Sequence, residues 1–143
     1  MLMGEYSHAL DDKGRFIIPA RLREDLQSPF VMTKGLDGCL FLYPMDEWQK
    51  IEERLKALSV TKADARAFSR LFLAGAQEIE VDKQFRVTVP PRLREFALVQ
   101  KNIALIGVGN RVELWAQERW ETYQEQAQGG YETLAENMTD LGL

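Results

Sequence analysis

One short pattern occurs twice in this chain. "DDKGRFIIPARLRE", Asp11 to Glu24, returns as "DKQFRVTVPPRLRE", Asp82 to Glu95, at a fixed offset of 71 positions. Asp11 falls on Asp82, Arg15 on Arg86 and Pro19 on Pro90, while Arg21, Leu22, Arg23 and Glu24 fall on Arg92, Leu93, Arg94 and Glu95. One extra residue in the second copy makes the offset 72, and then Gly35 meets Gly107, Leu42 meets Leu114, Tyr43 meets Trp115 and Trp48 meets Trp120. The duplication covers most of the 143 residues, a length usual for one domain, so the two like units must share a core.

Each copy reads as strand, turn, strand, short helix, hairpin and longer helix. "SHAL" leads into an Asp-Asp-Lys-Gly turn, and the alternation in "RFIIP" sets Phe16 and Ile18 on one face with Arg15 and Ile17 on the other. In "RVTVP" the same period buries Val87 and Val89 and turns Arg86 and Thr88 to water. Pro19 and Pro90 lack an amide donor and so end the strand ladder, and a short helix is entered through Ala20 or Pro91. Apolar strands follow, "FVMT" and "CLFLY" in one copy, "NIALIGV" and "RVELW" in the other. The links "KGLDG" and "GVGN" hold glycines suited to tight hairpins.

Helices complete each copy. "PMDEWQKIEERLKAL" carries acids near its start and the stripe Trp48, Ile51, Leu55, Leu58. "TKADARAFSRLFLAGA" pairs Thr61 with Asp64 at capping-box spacing and predicts a buried stripe of Phe68, Leu71 and Phe72 ending at Gly75. The last helix is expected from Ala116 to Gln128, stopped by Gly129-Gly130, with a weakly apolar end that frays or waits for a partner.

A net charge of −4 argues at first against a polyanionic partner. Its distribution reverses the argument. The two repeat windows hold eight Lys and Arg against five Asp and Glu, a sum of +3, which leaves −7 for the rest. Beyond Trp115 there are six acids and one Arg, so the repeats are the plausible docking surface for a polyanion.

The repeated chemistry is Asp-x-x-x-Arg, Asp11 with Arg15 and Asp82 with Arg86, with Lys13 and Lys83 in the same turns. A tight turn brings the carboxylate onto the guanidinium, holding it in one pose with its outer edge free. Such a fork suits guanine O6 and N7 or bridged phosphates, and Lys13, Lys83, Arg21, Arg23, Arg92 and Arg94 suit the nucleic-acid backbone. The bland alternative is that Asp and Arg merely staple each turn. The same charged groups in both copies, amid differing surfaces, favour binding.

Other candidates are weaker. His8 has no nearby nucleophile or metal-spaced partner and reads as a strand or surface histidine. Cys39, the single cysteine, reads as a small buried hydrophobe beside Leu40, Phe41 and Leu42. Trp48 and Trp120 read as core anchors. No nucleophile elbow, Walker loop, dinucleotide fingerprint or zinc spacing occurs, so no enzyme, cofactor, metal or small-molecule substrate is expected. No apolar run approaches a membrane span, and the start "MLMGEYSHALDDKGR" lacks the pattern of a secretory signal, which predicts a cytoplasmic protein.

The doubled Asp-x-x-x-Arg, the "GRFIIP" stretch and the intervening "DARAFSRLFLAGA" closely resemble the MraZ family of bacterial transcriptional regulators, over nearly the whole chain. The resemblance implies an α+β fold, two SpoVT-AbrB-like swapped-hairpin β-barrel halves forming an intramolecular pseudo-dimer, with helices after each half. It divides the chain into a first repeat at 5–47, connecting helices at 48–75, a second repeat at 76–119, and a C-terminal helix with acidic tail at 120–143. It further implies ring-like homo-oligomers that bind double-stranded DNA, at the nucleoid, on direct repeats upstream of the division and cell-wall gene cluster. Asp11, Arg15, Asp82 and Arg86 take the family's motif places. Gly14 stands where the second copy has Phe85, which leaves the equivalence of the two turns open. Avidity across several chains then compensates for an acidic balance. The competing reading is an oligomeric, antitoxin-like protein-interaction module that does not read DNA directly.

Overall fold

The computed structural model describes residues 1–139 and 141–142; Asp140 and Leu143, both in the predicted acidic tail, lie outside the described residues. Eight strands form: β1 (Leu2–Ala9), β2 (Arg15–Ile17), β3 (Phe30–Lys34), β4 (Leu40–Pro44), β5 (Gln77–Ile79), β6 (Arg86–Thr88), β7 (Asn102–Gly109) and β8 (Val112–Ala116). The α-helices among the described residues are α1 (Met45–Lys56), α2 (Ala63–Ala74), α3 (Pro91–Phe96), α4 (Gln117–Gln128) and α5 (Tyr131–Glu136). The class is α+β, as expected.

Six strands make one antiparallel sheet in the order β1-β7-β8-β4-β3-β5, and β2 and β6 make a separate two-stranded ribbon. The copies interlock. β1 of the first copy pairs along its whole length with β7 of the second, while β5 of the second copy pairs with β3 of the first. The pairings are related by a pseudo-twofold. Tyr6 faces Leu105 as its repeat mate Gln77 faces Met32, and at the centre Leu40 faces Leu114 while Leu42 faces Val112.

The alternation read from sequence decides which faces are dry. Phe16, Ile18, Val87 and Val89 are buried, whereas Ile17 and Thr88 are exposed. These four side chains close the inner face of the sheet over Phe30, Met32, Leu40, Leu42, Ile103, Leu105 and Leu114. Each such buried aliphatic contributes roughly 1.5–3 kcal/mol relative to exposure. A second cluster lies on the outer face, where Val31, Cys39, Phe41, Tyr43, Ala104 and Trp115 meet Trp48 of α1 and Phe72 of α2. Trp48 and Phe72 stack with centroids 5.7 Å apart, and Trp120 of α4 packs edge-on to Trp115 at 5.4 Å. Both repeated tryptophans therefore anchor helices.

Several local expectations need correction. Thr61 does not cap α2: the capping residue is Lys62, and no side chain caps it. The Thr61 hydroxyl instead pairs with Ser59 at 2.7 Å, and the turn is held by Arg66, whose guanidinium donates to the Val60 carbonyl at 2.9 Å. Of the predicted stripe on α2 only Phe72 is buried; Phe68 and Leu71 are 43% and 60% exposed. The reason lies in how the helix docks. The Thr33 hydroxyl donates to the Phe72 carbonyl at 2.7 Å, pinning the C-terminal part of α2 to β3. Leu58 lies past the end of α1 and is exposed. The first copy's short helix is a 3-10 turn, Ala20–Leu22, whereas α3, entered through Pro91, is a six-residue α-helix. β1 begins at Leu2, earlier than "SHAL" suggested. α4 stops before Gly129-Gly130 as predicted, and α5 follows with no buried residue.

Candidate nucleic-acid interface

The two Asp-x-x-x-Arg turns are superimposable in their hydrogen bonding. In the first, Asp11 Oδ1 accepts from the amides of Lys13 and Arg15, each at 2.9 Å, and Oδ2 accepts from Arg15 Nε at 2.7 Å. In the second, Asp82 Oδ1 accepts from Gln84 at 2.8 Å and Arg86 at 2.9 Å, and Oδ2 accepts from Arg86 Nε at 2.7 Å. Each carboxylate thus organises its turn with one oxygen and aims its arginine with the other. The amide of each arginine, followed by its side chain and the amide within the turn, holds the carboxyl of Asp11 and of Asp82 below the usual carboxylate range against the opposing pull of desolvation. Among the described residues only Nε of each guanidinium is engaged. Among the described residues the terminal nitrogens of Arg15 and Arg86 have no protein partner, and the two side chains are 24% and 33% exposed.

Gly14 and Phe85 adopt the same left-handed backbone, at φ +74° and +61°. The two turns are therefore equivalent in path despite that difference in sequence. For Gly14 this conformation is free, whereas for an aromatic residue it costs about 1–2 kcal/mol. Equivalent bonds also cross between copies: the Ile18 amide donates to the Phe85 carbonyl, and the Val89 amide to the Gly14 carbonyl, both at 2.9 Å.

The ribbon brings the two arginines together. Arg15 pairs with Thr88 and Ile17 with Arg86, so these four side chains share the exposed face while Phe16 and Val87 share the buried one. Arg15 and Arg86 are diagonal neighbours, a relation that sets Cα atoms on the order of 7–8 Å apart. Lys13, Lys83, Arg21 and Arg92 are exposed nearby in sequence. Arg23 and Arg94 are only half exposed and support the opposite copy's turn. The Arg23 guanidinium lies 3.9 Å from the centroid of the Phe85 ring and donates through Nε to the Ile18 carbonyl at 2.9 Å. Arg94 presses on Gly14, where a Cβ would meet its guanidinium carbon at 2.9 Å, and its own Nε is buried with no partner among the described residues. Motif spacing pointed to Arg15 and Arg86; the Phe85–Arg23 stack, which joins opposite copies, had no signal in either copy alone.

The remaining candidates hold no site. Cys39 is buried beneath the outer helices, and burial pushes its thiol up to about 12. His8 sits on β1, with burial lowering its pKa. Among the described residues no group of three His, Cys, Asp or Glu could hold a metal ion, and no helix is long and apolar enough to cross a membrane.

The fold and these turns define a class: a duplicated α+β chain whose halves exchange strands and jointly present a pair of carboxylate-held arginines. The chain belongs to the MraZ family. The family model described as "MraZ protein, putative antitoxin-like" matches residues 1–71 and again 72–142, at the period of the repeat. A relative named "Transcriptional regulator MraZ" from Heliobacterium modesticaldum is 58% identical over 143 residues, covering all of both chains. Relatives of the same name from Carboxydothermus hydrogenoformans and Natranaerobius thermophilus are 57% and 52% identical over the same full length. Those names are of regulators, not of enzymes.

Proposed function

We propose that this chain is a sequence-specific DNA-binding transcriptional regulator, reading duplex DNA with the ribbon β2–β6 and its two turns. The observation that carries the reading is that Arg15 and Arg86, 71 residues apart in sequence, share one exposed ribbon face, each with Nε held by an aspartate and its terminal nitrogens free. A two-stranded ribbon fits the major groove, and a guanidinium with two free donors matches guanine O6 and N7. Lys13, Lys83, Arg21 and Arg92 serve as phosphate contacts that position the ribbon, and Arg23 and Arg94 brace the turns while offering their outer nitrogens. The regulator names of the full-length relatives support the same role.

In this reading the halves are AbrB-like swapped-hairpin barrels forming an intramolecular pseudo-dimer, which the exchange of β1 and β5 and the pseudo-twofold of the ribbon support. The repeats run over 5–47 and 76–119, joined by the helices of 48–75 and followed by the acidic region 120–143. Ring-like homo-oligomers at the nucleoid set several ribbons along direct repeats upstream of the protein's own gene, in the division and cell-wall cluster, and linked contacts multiply the affinity of each.

The test is fluorescence anisotropy with labelled DNA from upstream of the gene, against excess random duplex, for wild type and Arg15→Ala/Arg86→Ala. The expected result is loss of specific binding in a double variant that stays folded and oligomeric. Binding indifferent to both substitutions, or loss of assembly with Arg15→Glu/Arg86→Glu, returns the turns to a structural role and favours a protein-interaction module.

A further inference from the structure

Phe85 and its repeat mate Gly14 hold the same left-handed backbone with wholly unlike side chains. The Phe85 backbone is left-handed at φ +61°, a conformation glycine holds without strain in the mate turn, yet the residue is the largest apolar side chain of either turn. The residue is 44% exposed, so burial does not explain it. One face of the ring is taken by Arg23, whose guanidinium carbon stands 3.9 Å from the centroid. Phe85 immediately precedes Arg86 in sequence and keeps much of its surface in solvent.

Resting on the DNA-binding reading above, we infer that Phe85 is a specificity-determining residue that touches the C5-methyl group of a thymine in the major groove, next to the base read by Arg86. A ring covered on one side by a guanidinium cannot be sandwiched between two bases, but its remaining exposed surface can meet an apolar group on a base edge. Thymine alone among the four bases presents a methyl group in the major groove, and apolar side chains recognise it there. The first turn, with Gly14, lacks this contact: the place a side chain would take there is filled by the Arg94 guanidinium. The pseudo-symmetric protein thus reads the two sides of its half-site differently: one by Arg15 alone, the other by Arg86 with Phe85. Arg23 keeps the ring in place through its stack and its Nε bond to Ile18, so it acts as a positioning residue.

The experiment compares wild type, Phe85→Gly and Phe85→Tyr on the upstream DNA and on random duplex, with urea unfolding of each. Phe85→Gly is expected to be at least as stable as wild type, because glycine suits the backbone, yet to lose about ten-fold in specific affinity with little change on random duplex. Phe85→Tyr should keep the specificity. Replacing single thymines by uracil, which removes only the methyl, should weaken wild type at one position per bound half-site and leave Phe85→Gly unaffected there. An unchanged ratio of specific to random binding in Phe85→Gly, or a uracil scan identical for both proteins, overturns the inference while the effect of Arg15→Ala/Arg86→Ala leaves the DNA reading standing. Absence of specific binding by wild type overturns both.

Discussion

The amide of Val89 donates to the carbonyl of Gly14 at 2.9 Å, tying the second copy's strand to the first copy's turn. The reciprocal bond from Ile18 to Phe85 ties the first copy's strand to the second turn. Neither turn is local in its support. Each is ordered from within by its own aspartate and from outside by the other copy, so the spacing between Arg15 and Arg86 is set by backbone hydrogen bonds. Fixed spacing of this kind is what recognition of a periodic ligand requires.

Acid should loosen the turns. Asp11 and Asp82 have folded-state pKa values below the ordinary 3.8, so they bind protons less readily folded than unfolded. Their stabilisation is complete above 3.8 and disappears as pH falls through the depressed values. Urea midpoints between neutral pH and pH about 3 should therefore fall less steeply in Asp11→Asn/Asp82→Asn than in wild type. Equal slopes would assign the acid sensitivity elsewhere.

Salt should separate positioning from reading. Under the proposed DNA-binding reading, Arg21→Ala/Arg92→Ala is expected to weaken binding alike on specific and random duplex and to reduce the slope of log K against log salt by about 2, one unit for each phosphate contact that reading assigns. Arg15→Ala/Arg86→Ala should instead erase the preference for the specific duplex. Titrations at several salt concentrations decide between these patterns.

Thr33→Val should loosen α2. The Thr33 side chain is buried, and its hydroxyl satisfies the Phe72 carbonyl at 2.7 Å. An isosteric valine leaves that carbonyl without its donor, at a cost of about 1–3 kcal/mol in unfolding free energy. Denaturant unfolding reads the loss, and increased amide exchange confined to α2 would locate it.

Gly107→Ala should disturb the exchange of strands between copies. A Cβ at Gly107 runs into the backbone of Leu2 and Met3 on the paired strand β1, which cannot rotate away as a side chain can. Overpacking of this kind costs about 1–3 kcal/mol. The expected signature is a lowered thermal midpoint with faster exchange of the β1 amides, and an unaffected midpoint would mean that β1 shifts register at little cost.

Much of this protein is legible in its sequence because local physics acts within a few residues. The period-2 pattern of "RFIIP" and "RVTVP" determined that Phe16, Ile18, Val87 and Val89 face the core, and the prolines that follow determined where the ribbon stops. The spacing of aspartate and arginine determined that both turns would close on an ion pair, since four residues of tight turn bring the groups within reach. The helical stripe on α2 was legible only in part: a 3.6 period says which residues share a face, not how much of that face has something to pack against, and Phe68 and Leu71 remain in water. What only the tertiary structure decided is partnership. Backbone donors and acceptors are chemically alike in every strand, so nothing in the strand sequences states that β1 pairs with β7, that β5 pairs with β3, or that β2 and β6 meet to place two distant arginines on one face. Those choices follow from burying both copies' apolar faces at once, a condition on the whole chain that no short segment contains.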